Sequence, residues 1–68
     1  MKTIEDLKLE VFKDRIYFVE KTIKRSMQHY QNSAIFEKSL INTIRNAIPD
    51  DYKIDEFKTD PSYYIITW

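Results

Sequence analysis

The chain has 68 residues with no cysteine and no glycine, and its eleven basic and eleven acidic residues give a formal net charge of zero. Without cysteine it can form neither disulfides nor thiolate metal sites, and without glycine it lacks the phosphate-binding loops of nucleotide-binding proteins. The zero net charge gives no bulk attraction to nucleic acid or to an anionic membrane. A chain this short buries only about 60% of the surface that its unfolded form exposes, which leaves self-association open as a source of stability.

The composition is that of a folded protein. Its hydrophobic fraction is 43%, and its four Phe, five Tyr and one Trp are too many for a disordered chain. No apolar run approaches the ~18 residues of a membrane span and nothing resembles a signal peptide, so we expect a single cytoplasmic domain over residues 1–68. Turns that need a positive φ are expected to use Asn or Asp. The abundance of Ile, Lys, Asn and Tyr is typical of an AT-rich genome, such as that of a low-GC bacterium, a phage or a plasmid.

The first predicted element is a long amphipathic helix from Ile4 to about Tyr30, with Thr3 as its N-cap. One apolar stripe recurs at alternating steps of three and four, with the polar Ser26 in one slot, and its apolar members are Leu9, Phe12, Ile16, Val19, Ile23 and Tyr30. A second, shorter stripe lies roughly 120° round the same helix and consists of Ile4, Leu7, Val11 and Phe18. A β-hairpin over residues 7–19 is the alternative, because apolar and polar residues alternate at its start.

Residues 34–48 are predicted to form a second helix, which Pro49 ends. Its apolar face consists of Phe36, Leu40, Ile41, Ile44, Ala47 and Ile48. Because the connection through residues 31–33 is short, the two helices should form an antiparallel pair, in which the second helix packs along the longer stripe of the first.

The C-terminal part predicts a β-hairpin, with strands over residues 52–57 and 63–68 and a turn between them. This hairpin is expected to cover the shorter stripe of the first helix. The predicted fold is therefore α+β: a long N-terminal helix and a second antiparallel helix packed with a C-terminal β-hairpin.

The last predicted strand is apolar on both faces. Alternation along a strand places Tyr63, Ile65 and Thr67 on one face, and Tyr64, Ile66 and Trp68 on the other. One small helix pair can cover only one face, so either the strand is an edge that pairs with a second copy, or its uncovered face binds another protein. We expect Tyr64, Ile66 and Trp68 to form the binding face, and the change Trp68→Ala to weaken association while the helices stay formed.

A basic patch on the first helix is the second candidate site for protein binding. Lys21, Lys24 and Arg25 lie along one side of that helix together with Gln28. Such a patch can steer a complementary partner, although most patches of this kind are solvated surface.

A winged helix-turn-helix is the main alternative, because two helices followed by a hairpin also form the end of that fold. Residues 33–48 would then be the recognition helix, with Lys38, Asn42, Arg45 and Asn46 facing DNA. The zero net charge and the acidic residues of the hairpin disfavour nucleic acid as the partner.

No catalytic, metal or cofactor site is expected. His29 is the single histidine and has no evident nucleophile or second ligand to work with, and the acidic C-terminal residues lack the spacing of a calcium loop. The sequence therefore predicts a small non-enzymatic protein-binding module, with another protein, a second copy of itself, or both as partners. A modulator or inhibitor of a host protein, encoded by a phage or a plasmid, fits the size and composition.

Overall fold

The computed structural model describes residues 1–68. Its longest element is helix α1 over Ile4–Gln28. Thr3 is its N-cap, as predicted, and the Thr3 hydroxyl oxygen accepts a hydrogen bond from the backbone N–H of Asp6 at 3.1 Å. Glu5 and Asp6 lie in the first turn, where the helix dipole favours negative charge. The hairpin alternative for residues 7–19 is wrong, because all of them are helical.

The helix α1 ends in a turn that places Tyr30 in the left-handed region, at a φ of 61°. The N–H of Gln31 donates to the carbonyl of Ser26 at 2.9 Å, and the N–H of Tyr30 donates to the carbonyl of Met27 at 3.0 Å. This pair of bonds is the Schellman motif, in which glycine is the usual left-handed residue. The chain uses tyrosine at this position, where we expected Asn or Asp.

The segment predicted as one helix over residues 34–48 divides into three parts. Strand β1 covers Ser33–Glu37, helix α2 covers Lys38–Ile44, and a single 3-10 turn covers Arg45–Ala47. The predicted start of the second helix is therefore wrong, and the two helices are joined through a strand. The apolar spacing from Phe36 to Ile44 is typical of a helix. The residues before Lys38 form a strand instead, and this strand pairs with the apolar C-terminal strand of the chain.

Strand β1 joins a three-stranded antiparallel sheet with β2 over Lys53–Glu56 and β3 over Tyr63–Thr67, in the order β1-β3-β2. The last strand is therefore central, and the expectation of an edge strand is wrong. Ile66 of β3 lies opposite Ala34 of β1 and Ile54 of β2. Because directly opposed residues share a face, these three side chains mark the inner face of the sheet.

The hydrophobic core lies between this inner face and the two helices, and α1 packs on α2 and on β1. Its buried residues are Val19, Ile23, Phe36, Ile41, Ile44 and Ile66. The predicted α+β class, with a long N-terminal helix, a second helix and a C-terminal hairpin, is confirmed.

The shorter stripe of α1 is not covered by the hairpin, contrary to expectation. Every residue from 1 to 11 is exposed, and Ile4 retains 72% of its accessible surface. Further along the same stripe, the ring of Phe18 packs edge-to-face on Phe36 of β1 with 6.5 Å between the centroids. The first turns of α1 thus extend beyond the core, which gives the molecule dimensions of 42 × 27 × 19 Å. No helix combines the length and apolar character needed to cross a bilayer.

Candidate binding groove

An open groove of about 770 Å³ lies between the C-terminal half of α1 and the segment that leads into β2. It lies on this side because α1 packs mainly on α2 and β1, and β2 is at the opposite edge of the sheet from β1. Ten of its sixteen lining residues are hydrophobic. Four of them belong to the core and form its floor: Val19, Ile23, Ile44 and Ile66. Its volume falls in the range of ligand-binding clefts.

The two walls of the groove come from separate parts of the chain. The α1 wall includes Tyr17 and Met27, which are 66% and 44% exposed. The opposite wall consists of Ala47, Ile48, Pro49 and Tyr52. A turn fixes this second wall, because the N–H of Tyr52 donates to the carbonyl of Pro49 at 3.2 Å. Both walls therefore offer apolar side chains to a bound segment.

The rim of the groove is basic. Lys21, Lys24 and Arg25 all line it, and Glu20 is the acidic residue among its lining. Each of these four side chains is exposed, so their charges act on an approaching partner. The basic patch predicted from the sequence therefore lies beside an apolar groove, an arrangement that favours apolar ligands with negative charge.

The structure places the other predicted protein-binding residues on the inner face of the sheet. Ile66 has no exposed surface and forms part of the groove floor, while Tyr64 and Trp68 are half-buried against the core. Their predicted outward position is therefore wrong, because the helices cover this face. The outer face carries Tyr63, Ile65 and Thr67 instead. We now expect Trp68→Ala to destabilise the fold, since the N–H of Trp68 also donates to the carbonyl of Asn32 at 3.1 Å.

The residues predicted to face DNA surround Tyr64. The Tyr64 hydroxyl donates to Oδ1 of Asn42 at 3.2 Å, and the Lys38 Nζ and the Arg45 guanidinium carbon lie 5.2 and 5.6 Å from the ring centroid. Lys38 Nζ also donates to Oε1 of Glu56 at 2.8 Å, and this hydrogen bond and the lysine charge hold the pKa of the Glu56 carboxyl below its usual range. These contacts fasten α2 to the sheet.

The DNA-binding alternative gains no support from this geometry. Three of its four residues contact the protein itself, and the fourth, Asn46, lies exposed on the 3-10 turn. The helix α2 has seven residues, less than half of the predicted recognition segment over residues 33–48. DNA binding by residues 33–48 stays a prediction.

His29 is not one of the residues that line the groove. It is the exposed C-cap residue of α1, and its backbone N–H donates to the carbonyls of Arg25 and Ser26. The chain contains no group of three or more His, Cys, Asp and Glu residues placed to hold a metal ion.

Sequence reasoning found the basic rim of the groove but missed its second wall. Ile48 was assigned to the apolar face of a helix and Pro49 to a helix end, and neither was expected at a binding surface. The sequence signal for this second wall is an apolar residue before Pro49 and an aromatic residue soon after it. The same pattern is also found in ordinary surface turns. In comparisons with protein-family models, with curated proteins and with solved structures, nothing matches this chain.

Proposed function

We propose that this chain is a small non-enzymatic protein-binding module, and that its groove takes an apolar segment of another protein with acidic side chains beside it. One observation carries this proposal: exposed apolar walls and a basic rim meet in one groove beside α1. Tyr17 and Met27 are exposed in the α1 wall, and Lys21, Lys24 and Arg25 form the rim. Apolar area supplies binding free energy, and the basic rim selects the charge of the partner.

The residue types of the groove support a protein partner. Interface centres are enriched in Tyr, Met and Arg, and all three types line this groove as Tyr17, Met27 and Arg25. Tyr17 and Met27 lose exposed apolar surface when a segment binds between the walls. Because the floor is the core itself, it is rigid, and little conformational entropy is lost on binding.

A module of this kind acts by occupying a surface of its partner. This is the mode of action that we propose for a small modulator of a host protein, encoded by a phage or a plasmid.

A pair of fluorescent peptides tests the groove. Both share one amphipathic apolar sequence, and the flanking residues are Asp in one peptide and Lys in the other. We expect the acidic peptide to bind the wild-type protein, with an affinity that falls as salt rises, and the basic peptide not to bind. Fluorescence anisotropy measures both affinities.

Two double variants separate the effect of the rim charges on peptide binding from the effect of the protein's overall charge. Lys21→Glu with Lys24→Glu should reverse the preference between the two peptides. Lys8→Glu with Lys13→Glu, which changes exposed residues of α1 outside the groove, should leave it unchanged. Equal binding of both peptides, or a preference that the rim variant does not alter, would contradict the proposal.

A further inference from the structure

The outer edge of strand β1 carries unpaired backbone groups. The N–H of Lys38 donates to the carbonyl of Ser62, and the N–H of Trp68 donates to the carbonyl of Asn32. In an antiparallel ladder the hydrogen-bonded pairs recur at every second residue, so the even-numbered residues of β1 bond to β3. Ser33 and Ile35 therefore direct their N–H and C=O groups away from β3. An edge of this kind is a template for another strand.

We propose that a second copy of this chain pairs with this edge in the antiparallel direction, with Ile35 opposite Ile35 of the second copy. The two three-stranded sheets then form one continuous six-stranded sheet. The two-fold axis passes between the two Ile35 residues and is perpendicular to the sheet.

Each cross-strand pair in this register is complementary. Ile35 meets Ile35 on the outer face, and because Ile35 lies opposite Ile65 within each copy, four isoleucines form one apolar row across the dimer. On the inner face Ala34 lies opposite Phe36 of the second copy, so that a small side chain faces a large one. Ser33 lies opposite Glu37, and the serine hydroxyl can donate to the carboxylate.

Other symmetric registers are less favourable. A two-fold axis at Ala34 places Ile35 opposite Ser33, and an axis at Phe36 places it opposite Glu37, so in both registers Ile35 has no apolar partner across the strands. An axis at Glu37 places two carboxylates directly opposite each other, and like charges in that position are destabilising. An axis at Ser33 places Ile35 opposite Gln31, which leaves the apolar side chain without an apolar partner.

The exposed apolar stripe of α1 lies on the same side of the molecule. Phe18 contacts Phe36 of β1, whereas Tyr17 lines the groove on the side of β2, and β1 and β2 are opposite edges of the sheet. The Phe18 side of α1 therefore faces the β1 edge. Phe18 is 56% exposed and Ile35 is 46% exposed. In the dimer both α1 helices lie on one face of the sheet, and their Phe18 sides face each other.

The available surface is sufficient for a small dimer interface. Ile35 and the shorter stripe of α1 expose on the order of 500 Å² per copy, against about 800 Å² per partner in an interface of standard size. The hydrogen bonds of the strand pair add directional contacts to this area. The proposed dimer uses a surface opposite the groove, so each copy keeps its groove free.

Opposite charges at residue 35 test both the dimer and its register. In this register residue 35 of each copy faces only residue 35 of the other. Ile35→Lys alone, and Ile35→Asp alone, should each be monomers, because two like charges meet at the two-fold axis. An equimolar mixture of the two variants should have the mass of two chains, because lysine then faces aspartate. Light scattering after size-exclusion chromatography measures each mass over a dilution series.

The variant Asp55→Lys is the matched control, because it changes a charge on the outer face of β2, away from the β1 edge. It should keep the dimeric mass of the wild type, and circular dichroism should show the same helix content in all variants. A wild type that stays monomeric at high concentration overturns the proposal. Dimeric charge variants, or a mixture that stays monomeric, overturn it as well.

Discussion

At the scale of single residues, Tyr30 is the position where the chain departs most clearly from common usage. A left-handed backbone costs a non-glycine residue roughly 1–2 kcal/mol, and here the cost falls on a bulky side chain that is 97% exposed. No burial of the ring offsets this cost within the chain. Tyr30, which follows the C-cap of α1, is thus not the residue that would give the most stable fold at this position.

We expect Tyr30→Gly to stabilise the protein by about 0.5–1 kcal/mol, because relief of the left-handed strain exceeds the added entropy of the unfolded chain. For a domain of this size the melting temperature should rise by roughly 2–8 °C, measured by circular dichroism. Tyr30→Val is the control, since a β-branched residue tolerates positive φ poorly and should not stabilise. A Tyr30→Gly variant that melts at or below the wild-type temperature would refute the strain argument.

At the scale of elements, one ion pair links the first residue of α2 to the last residue of β2. Lys38 Nζ and the Glu56 carboxylate lie 2.8 Å apart, and the pKa of Glu56 is lowered in the folded state, first by the hydrogen bond and then by the charge of Lys38. A carboxyl with a lowered pKa contributes stability that is present above its unfolded pKa and is lost as the pH falls through its folded pKa.

We therefore expect Glu56→Gln to reduce the free energy of unfolding at neutral pH and to change it little in acid, below the folded pKa of Glu56. Urea unfolding of both proteins at a series of pH values measures the difference. Lys38→Gln, which removes the cation, should reduce the pH dependence in the same way. A difference between wild type and Glu56→Gln that persists unchanged into acid would show that the ion pair is not its cause.

The division of residues 34–48 shows what sequence periodicity can and cannot determine. The helix α1 was predictable because its pattern repeats over many turns, and the C-terminal hairpin because its second strand is rich in β-branched and aromatic residues. Strand β1 has five residues, and Phe36 lies at helical spacing from Leu40. The apolar character of β3 on both faces was the signal for a third strand, since it is typical of a central position.

The candidate groove was predictable only in part, for a related physical reason. Lys21, Lys24 and Arg25 lie within one helix, so their spacing alone places them together. Ile48 and Tyr52 come close to α1 only because α2 is short and a turn at Pro49 redirects the chain. Contacts that depend on such turns are not encoded in any local pattern.

At the scale of the whole molecule, the core occupies one end of an elongated shape. The radius of gyration is 13.2 Å, compared with about 11 Å expected for a compact chain of this length. The difference arises because the first eleven residues are exposed and α1 continues past the sheet and α2. The stability of the chain should therefore depend on the core end and very little on the first turns of α1.

Two Ile→Ala changes, both in helices, test whether stability depends on the core end and not on the first turns of α1. Ile41→Ala in α2 empties a site with no exposed surface and should cost about 2–5 kcal/mol. A chain of this length has a total stability of about 3–10 kcal/mol, so this change should leave it close to unfolding. Ile4→Ala in the first turn of α1 removes the same atoms from a side chain that is exposed in the monomer, and in the Ile35→Lys background, which should be monomeric, it should cost within about 0.5 kcal/mol. Urea denaturation measures both, and similar losses for the two variants would mean that the first turns of α1 pack against the rest of the protein.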